Sequence, residues 1–341
     1  MPSMWRQELH FTTRDASSIT GVALSKDARF LAIAYGVCVD IWDLKNTHNA
    51  PLAQYNPDSM IHPISFLTWS TECHRLAVCF EGGLVCVIAL KIGEELSSLA
   101  VGFRLKSGEA QQGNVRVLAA FLRDDILAVA MGEDVEIRCF LEDGSDPRWD
   151  LKSKLTPSAS CTGNNLPTGN IQSIHSIPED CILVSYENQA ANVWGFEQSV
   201  EGFLTCAHKF TTTLPGVIND VSKARGTILV AAAGTYQVLV LGSTTAQSIF
   251  IPHDPITGYP QTISCARYVS EDVIIGAGTS QLILWNAELG NRLQNLPIQN
   301  QEGGPVTHHI CTAYSREEDS GWIVTAHDGG KIICWKTIDT Q

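Results

Sequence analysis

Two glycine clusters come nearest to the motifs that hold nucleotide phosphates. The Gly-Gly-Lys run at 329–331 is like the end of a phosphate-binding loop, but that motif requires Gly where Thr325 stands and Ser or Thr where Ile332 stands. The Gly-Ala-Gly run at 276–278 begins like a dinucleotide fingerprint, but Gln281 occupies the place of the third glycine. We therefore predict a hairpin turn at each run, and we expect no cofactor.

Histidine and cysteine offer no better set of metal ligands or catalytic groups. His308 and His309 are adjacent, so on a strand they point to opposite faces and cannot share one metal ion. Four cysteines lie close to the ends of apolar runs but at different registers, so they cannot converge; they are Cys38, Cys86, Cys139 and Cys334. The Gly-x-Ser-x-Gly motif of serine hydrolases and the His-Glu-x-x-His motif of zinc proteases are both absent. We predict no metal site and no catalytic residues.

Charge and composition restrict the class of partner. The 341 residues include 23 Lys and Arg against 36 Asp and Glu, which gives a formal net charge of −13. Nucleic acids and anionic membranes are bound through clustered basic residues, so neither is expected as a partner. Hydrophobic residues make up 44% of the chain and charged residues 17%. This composition predicts a globular protein with a large core.

The cysteines indicate the cellular compartment. The eleven cysteines are odd in number and scattered, without a Cys-x-x-Cys pair, which is atypical of a secreted disulfide framework. No apolar stretch approaches the roughly 20 residues that a membrane-spanning helix needs. We expect free, mostly buried thiols and a cytoplasmic, intracellular protein that is not secreted.

One module recurs along the chain and accounts for its length. Its first copy, 19–44, reads as three strands joined by a polar turn and a Tyr-Gly turn, with apolar and polar residues alternating in the third strand. Six further copies give seven units of about 49 residues each, which together use the whole chain. Their first strands are predicted to open at Ile64, Val115, Ile171, Val217, Ile263 and Val306.

Aligning the third strands places one residue of each unit in a common column. The column consists of Trp42, Ile88, Arg138, Trp194, Leu241, Trp285 and Trp335. An identical register favours packing between units over recognition of a ligand. Arg138 is the exception, because a charge at such a position needs a partner, for which the candidates are Glu133, Asp134 and Glu136.

The three visible strands, a weaker fourth strand and a Trp near the end of the third resemble WD40 repeats over residues 4–338. The Trp-Asp dipeptide survives at 42–43, whereas the Gly-His pair that typically precedes the first strand is missing from every unit. The resemblance implies an all-β fold, a seven-bladed β-propeller built from four-stranded antiparallel blades. We expect one such domain over residues 1–341.

The last blade lacks a strand in its own part of the sequence. Only six residues follow Trp335, too few for a turn and a strand of about five or six residues. The segment 4–13 alternates apolar and polar residues before the first unit begins. We therefore predict that this N-terminal strand completes the last blade and closes the ring.

Candidate binding residues lie on one face of the predicted propeller. This face is formed by the turns between second and third strands and by the segments that lead into first strands. Its candidates are Tyr35, Phe80, Glu81, Arg116, Tyr186, Glu187, His308, His327 and Asp328. Aromatic groups on turns are typical of interfaces, and the acidic neighbours suggest a protein or peptide partner with a basic segment.

The resemblance implies a non-catalytic scaffold or adaptor for protein binding, expected to be monomeric by itself. The alternative is a propeller hydrolase or lyase with a polar site in the central channel. Candidate residues for that site are Glu81, Glu133, Asp134, Glu187, His327 and Asp328. A third interpretation, substrate receptor of a ubiquitin ligase, has only weak support, because Lys45 stands where the motif has Arg.

Overall fold

The structure is a computed structural model in which β-strands form nearly all of the regular structure. It describes residues 4–13, 19–45, 50–57, 62–91, 97–105, 115–142, 147–155, 169–198, 204–222, 226–232, 235–241, 246–250, 265–277, 281–298, 307–315 and 320–338. Within these residues the one helical element is a short 3-10 turn, Asp328–Gly330.

The strands form seven antiparallel sheets of four strands each. Blade 1 consists of β2 (Ile19–Leu24), β3 (Phe30–Tyr35), β4 (Cys38–Asp43) and β5 (Ala53–Tyr55). Blade 2 consists of β6 (Ile64–Trp69), β7 (Arg75–Phe80), β8 (Leu84–Lys91) and β9 (Ser97–Arg104). Blade 3 consists of β10 (Val117–Arg123), β11 (Ile126–Met131), β12 (Asp134–Leu141) and β13 (Arg148–Leu155). Blade 4 consists of β14 (Ile171–Ile177), β15 (Cys181–Tyr186), β16 (Ala190–Gln198) and β17 (Leu204–Thr213).

The remaining blades follow the same order, except that the last blade takes its fourth strand from the start of the chain. Blade 5 consists of β18 (Val217–Ser222), β19 (Thr227–Ala232), β20 (Thr235–Val240) and β21 (Ala246–Phe250). Blade 6 consists of β22 (Cys265–Tyr268), β23 (Val273–Ala277), β24 (Gln281–Asn286) and β25 (Arg292–Pro297). Blade 7 consists of β26 (Thr307–Ser315), β27 (Ser320–His327), β28 (Lys331–Ile338) and β1 (Met4–Thr12). The predicted seven-bladed propeller is confirmed.

Most predicted strand openings agree with the structure. The first strands of blades 1, 2, 4 and 5 begin at the predicted residues. In blades 3, 6 and 7 the described strand begins one or two residues later, and the predicted openings Ile263 and Val306 lie outside the described residues. The first glycine run lies in the turn between β27 and β28, as predicted. In the second run, Gly276 and Ala277 end β23, which pairs with β24, and Gly278 lies outside the described residues.

The second strand of each blade is apolar on both faces because a neighbouring blade covers each face. In β3 the first five residues are buried, and in β11 and β15 all six are. The outer strand β17 instead alternates half-buried and exposed residues over most of its length, since its outer positions meet solvent. Burial thus falls from the centre of the propeller to its edge, which explains why the second strands look most alike in the sequence.

Hydrogen bonds also cross between blades. The Trp69 indole donates to the carbonyl of Ala23 in the neighbouring blade at 3.0 Å. The Ser65 hydroxyl donates to the carbonyl of Val117 at 2.9 Å, so blade 2 is bonded to both of its neighbours. Each side-chain donor satisfies a carbonyl on an innermost strand, whose inward edge has no strand to pair with.

The N-terminal strand closes the ring as predicted. β1 pairs antiparallel with β28 along its length, with a bulge between Gln7 and Leu9. The Trp5 ring covers Gly321 so closely that a Cβ there would lie 2.7 Å from a ring carbon. Phe11 stacks on Trp42 of blade 1, with ring centroids 4.5 Å apart. The strand therefore completes blade 7 and also packs against blade 1.

The predicted column of third-strand residues is correct in six blades and shifted in one. In those six the column residue faces a Leu or Ile at the aligned position of the second strand; these partners are Leu31, Leu76, Leu127, Ile182, Ile274 and Ile323. In blade 5 the residue opposite Ile228 is Leu239, so the assignment of Leu241 is wrong. Apolar residues alternate with a period of two here, and a shift by two residues leaves the same side chains on the same face.

Arg138 finds a partner among the acids that the sequence offered. Its guanidinium bonds the Glu136 carboxylate at 2.6 Å, donates to the Trp149 carbonyl and lies 4.4 Å from the centre of the Phe103 ring. Lys154 approaches the other oxygen of Glu136 at 3.2 Å. A charged pair thus takes the place that Trp holds elsewhere, and it is neutralised within its own blade.

The strand count predicts that deletion of residues 1–12 destabilises the propeller. The deletion exposes the edge of β28 and removes Trp5 and Phe11 from their packing sites. We expect a melting temperature at least about 5 °C lower, together with aggregation, as measured by calorimetry and light scattering. Deletion of residues 339–341, which follow β28, is the control. Equal melting temperatures for the two truncated chains would contradict closure by β1.

Trp285→Ala tests the column in blade 6. Trp285 is 5% exposed and packs in the core between blades 5 and 6, so we expect a loss of about 3 to 5 kcal/mol in the free energy of unfolding. The control is Leu289→Ala in the same blade, because Leu289 is 72% exposed and should change stability by less than about 0.5 kcal/mol. Denaturant unfolding measures both, and similar midpoints would disprove the burial.

Candidate binding face and central channel

Backbone hydrogen bonds define the face that carries the candidate residues. The Ile64 amide, where the chain enters blade 2, donates to the Gly36 carbonyl in the turn between β3 and β4 at 2.8 Å. The Ile171 amide donates in the same way to the Gly132 carbonyl at 2.7 Å. Gly36 and Gly132 both have positive φ, which these tight turns require. We call the surface formed by these turns and entering segments the upper face.

Three of the predicted aromatic contacts lie in the core instead of on the upper face. Phe80 is 0% exposed, and Tyr186 and His327 are each 2% exposed. The expectation that they project from turns is wrong, because each is the last residue of a second strand that is buried on both faces. The pKa of Tyr186 is raised to about 12, chiefly by burial and in smaller part by the charge of Glu133, while a hydrogen bond with Asn192 opposes the rise. His327 bonds the Thr325 hydroxyl at 2.9 Å within its own strand.

Tyr35 and two acidic residues remain accessible. Tyr35 is half-buried, Glu81 is half-buried and Glu187 is exposed. Glu187 accepts hydrogen bonds from both the amide and the side chain of Asn170 at 3.2 Å, which fix its carboxylate above blade 4. The side chains of His308 and Asp328, also predicted for this face, lie outside the described residues.

The carboxylate of Glu81 has an unused acceptor. Its Oε2 atom is buried and has no hydrogen-bond partner among the described residues, while the Glu81 amide donates to the Pro63 carbonyl at 3.0 Å. A buried acceptor without a donor costs free energy, typically about 1 to 3 kcal/mol. An incoming Lys or Arg could supply that donor.

The central channel contains a cavity of about 410 Å³. It is lined by the first strands of blades 2 to 6 and by the segment that enters blade 3. Of the six residues predicted for a catalytic site, the five whose side chains are described do not line it. Among the described residues no group of three or more His, Cys, Asp or Glu side chains is placed to hold a metal ion. The described residues therefore do not bring the predicted hydrolase or lyase residues together in this cavity.

Polar residues of the channel were not all identified from the sequence. The cavity is also lined by His175, Asp220 and Arg267. In its own blade, each of these residues pairs with the third residue of the second strand. The three side chains therefore lie at the same level of the channel. Arg116, which was predicted, lies nearer the upper face at the entrance to blade 3. The sequence does carry an indication of these residues, because a charged or polar side chain is unusual in a first strand. At the corresponding position of its first strand, blade 1 has Ala23.

Comparison with known proteins gives fold similarity only. No family model matches the chain, and no curated protein matches it significantly. The β-propeller domain of Cps50 (Swd1) from Myceliophteria thermophila superposes with a TM-score of 0.65 at 13% sequence identity, covering 96% of this chain and 99% of that domain. Sqt1 from Saccharomyces cerevisiae gives a TM-score of 0.66 at 8% identity, covering 98% of this chain and 99% of its own. The chain thus has the fold of WD40 β-propellers, and no subfamily is identified.

Proposed function

We propose that the protein is a non-catalytic scaffold that binds a segment of a protein partner on its upper face. The observation that carries the proposal is the unpartnered Oε2 of Glu81, close to the chain entering blade 2. Tyr35 and Glu187 add an accessible ring and a fixed carboxylate on blades 1 and 4. A Lys or Arg side chain beside an apolar group would match this combination.

The other properties proposed for the protein follow from packing and charge. All blade interfaces are formed within one chain, which supports a monomer by itself. A net charge of −13 favours basic protein segments over nucleic acid or anionic membrane. Ten described cysteines are free, and burial raises the thiol pKa of several, including Cys334 to about 12, which supports an intracellular location.

The described residues contain no helix with the length and apolar character that crossing a membrane requires.

The double variant Glu81→Gln with Glu187→Gln tests the proposed face. A partner is first isolated by affinity purification from the source cell, and its binding is then measured by biolayer interferometry with purified components. We expect at least about fivefold weaker binding at low salt, mainly through slower association, because the variant removes one ion pair at half-buried Glu81 and one at exposed Glu187, together worth about 1 kcal/mol or more. Thermal melting should not change.

The matched control changes the same chemistry on the opposite face. Glu72 and Glu271 are exposed residues in turns between first and second strands, so Glu72→Gln with Glu271→Gln removes two carboxylates from the lower face. This control should bind the partner like wild type. If the control weakens binding and the upper-face variant does not, the partner uses the lower face and the proposal fails.

A further inference from the structure

Two arginine side chains face the same channel cavity without an acidic partner. Arg116 precedes β10 and Arg267 lies in β22, and both line the cavity. Within the described residues neither guanidinium forms an ion pair, and Arg116 makes no hydrogen bond. The Nη1 of Arg267 donates to the backbone carbonyls of Asn219 and Ala266, which orients its side chain without neutralising it.

The two arginines bring like charges close together at the cavity, Arg116 as an exposed residue and Arg267 as a half-buried one. Partial desolvation lowers the pKa of Arg116, and the nearby charge of Arg267 also lowers it. The chain has 36 acidic residues, yet the two guanidinium groups outnumber the one carboxylate in the lining, Asp220. One oxygen of Asp220 already accepts the Tyr268 amide at 2.8 Å. The cavity therefore has an excess of positive charge inside a negatively charged molecule.

We propose that the channel binds the phosphate group of a phosphate ester through Arg116 and Arg267. Phosphate carries about −1.5 to −2 charges at pH 7 and three acceptor oxygens, so it can engage two guanidinium groups at once. Side chains of His175 and Gln172 also line the cavity and offer further polar contacts. Its volume of about 410 Å³ falls in the range of sites for small organic ligands, about 300 to 1,000 Å³.

The phosphate has two possible sources, a free small ester or a phosphorylated residue of a bound segment. Arg116 stands at the entrance to blade 3, on the side of the upper face, so either can enter from there. The site does not depend on the proposed scaffold function, because a free ester needs no contact with Glu81 or Glu187. Failure of one proposal leaves the other unaffected.

Isothermal titration calorimetry of the full chain with glycerol 3-phosphate tests the site. We expect saturable binding that Arg116→Gln weakens at least about tenfold, because the variant removes one of two charged contacts. Arg116 makes no hydrogen bond within the described residues, so its substitution should leave the melting temperature unchanged. Arg104→Gln, which removes an exposed arginine at the end of β9, is the matched control and should bind like wild type.

Two more ligands separate the remaining outcomes. A phosphoserine peptide that binds more tightly than glycerol 3-phosphate assigns the phosphate to a partner segment, and weaker binding assigns it to a free ester; both support the site. Succinate should bind at least about tenfold more weakly than glycerol 3-phosphate, because its carboxylates are planar and further apart. The proposal is overturned by equal affinity for succinate, by no saturable binding up to about 10 mM, or by unchanged binding in Arg116→Gln.

Discussion

Each blade of this protein depends on its two neighbours, because its second strand is buried on both faces. Leu31 and Ile33 of β3 are fully buried towards blade 7, while Ala32 and Ala34 pack towards blade 2. A sheet of this kind is stable only between two others, so an incomplete ring would leave two apolar faces in water. Closure by β1 is therefore the constraint on which the other interfaces depend.

The closing strand β1 contacts both blade 7 and blade 1. Its backbone pairs with β28, which satisfies the outer edge of blade 7, and Phe11 covers Trp42 across the boundary with blade 1. The indole Nε1 atoms of Trp42, Trp194 and Trp335 are buried without a hydrogen-bond partner among the described residues. Packing, and not a polar relay, thus holds these rings, which agrees with the loss of the Gly-His pair from the repeats.

The fold could be predicted from the sequence because it follows from the periodicity of the repeats. The site could not, because it depends on which side chains point to solvent and which point into the core. Alternation and the repeat length together determine the number of blades, and the shift from Leu241 to Leu239 shows the one ambiguity that a period of two leaves. Tyr186 was predicted to lie, with Glu187 and Asn188, in the turn between the second and third strands. It is the last residue of β15 instead, and the core covers it. Sequence position alone does not distinguish those two places.

The channel was harder to identify because its residues belong to five different blades. His175, Asp220 and Arg267 are isolated polar residues in their own strands, and only the closed ring brings them to one level. The sequence shows that each is unusual in a first strand but not that they share a cavity. Residues that meet through ring closure can be recognised only when strand register is known for every blade concerned.

The upper face and the channel differ in the sign of the charge that each presents to a ligand. The net charge of −13 attracts a basic segment over distances up to the Debye length, about 8 Å at physiological salt, and repels a phosphate over the same range. Added salt should therefore slow association at Glu81 and Glu187 but ease entry of an anion into the channel. In the cavity the anion would meet exposed Arg116 and half-buried Arg267 at contact distance, where salt screens less than it does over a Debye length. The proposed affinity of the channel for phosphate would thus come from short-range contact, in opposition to the long-range field of the protein.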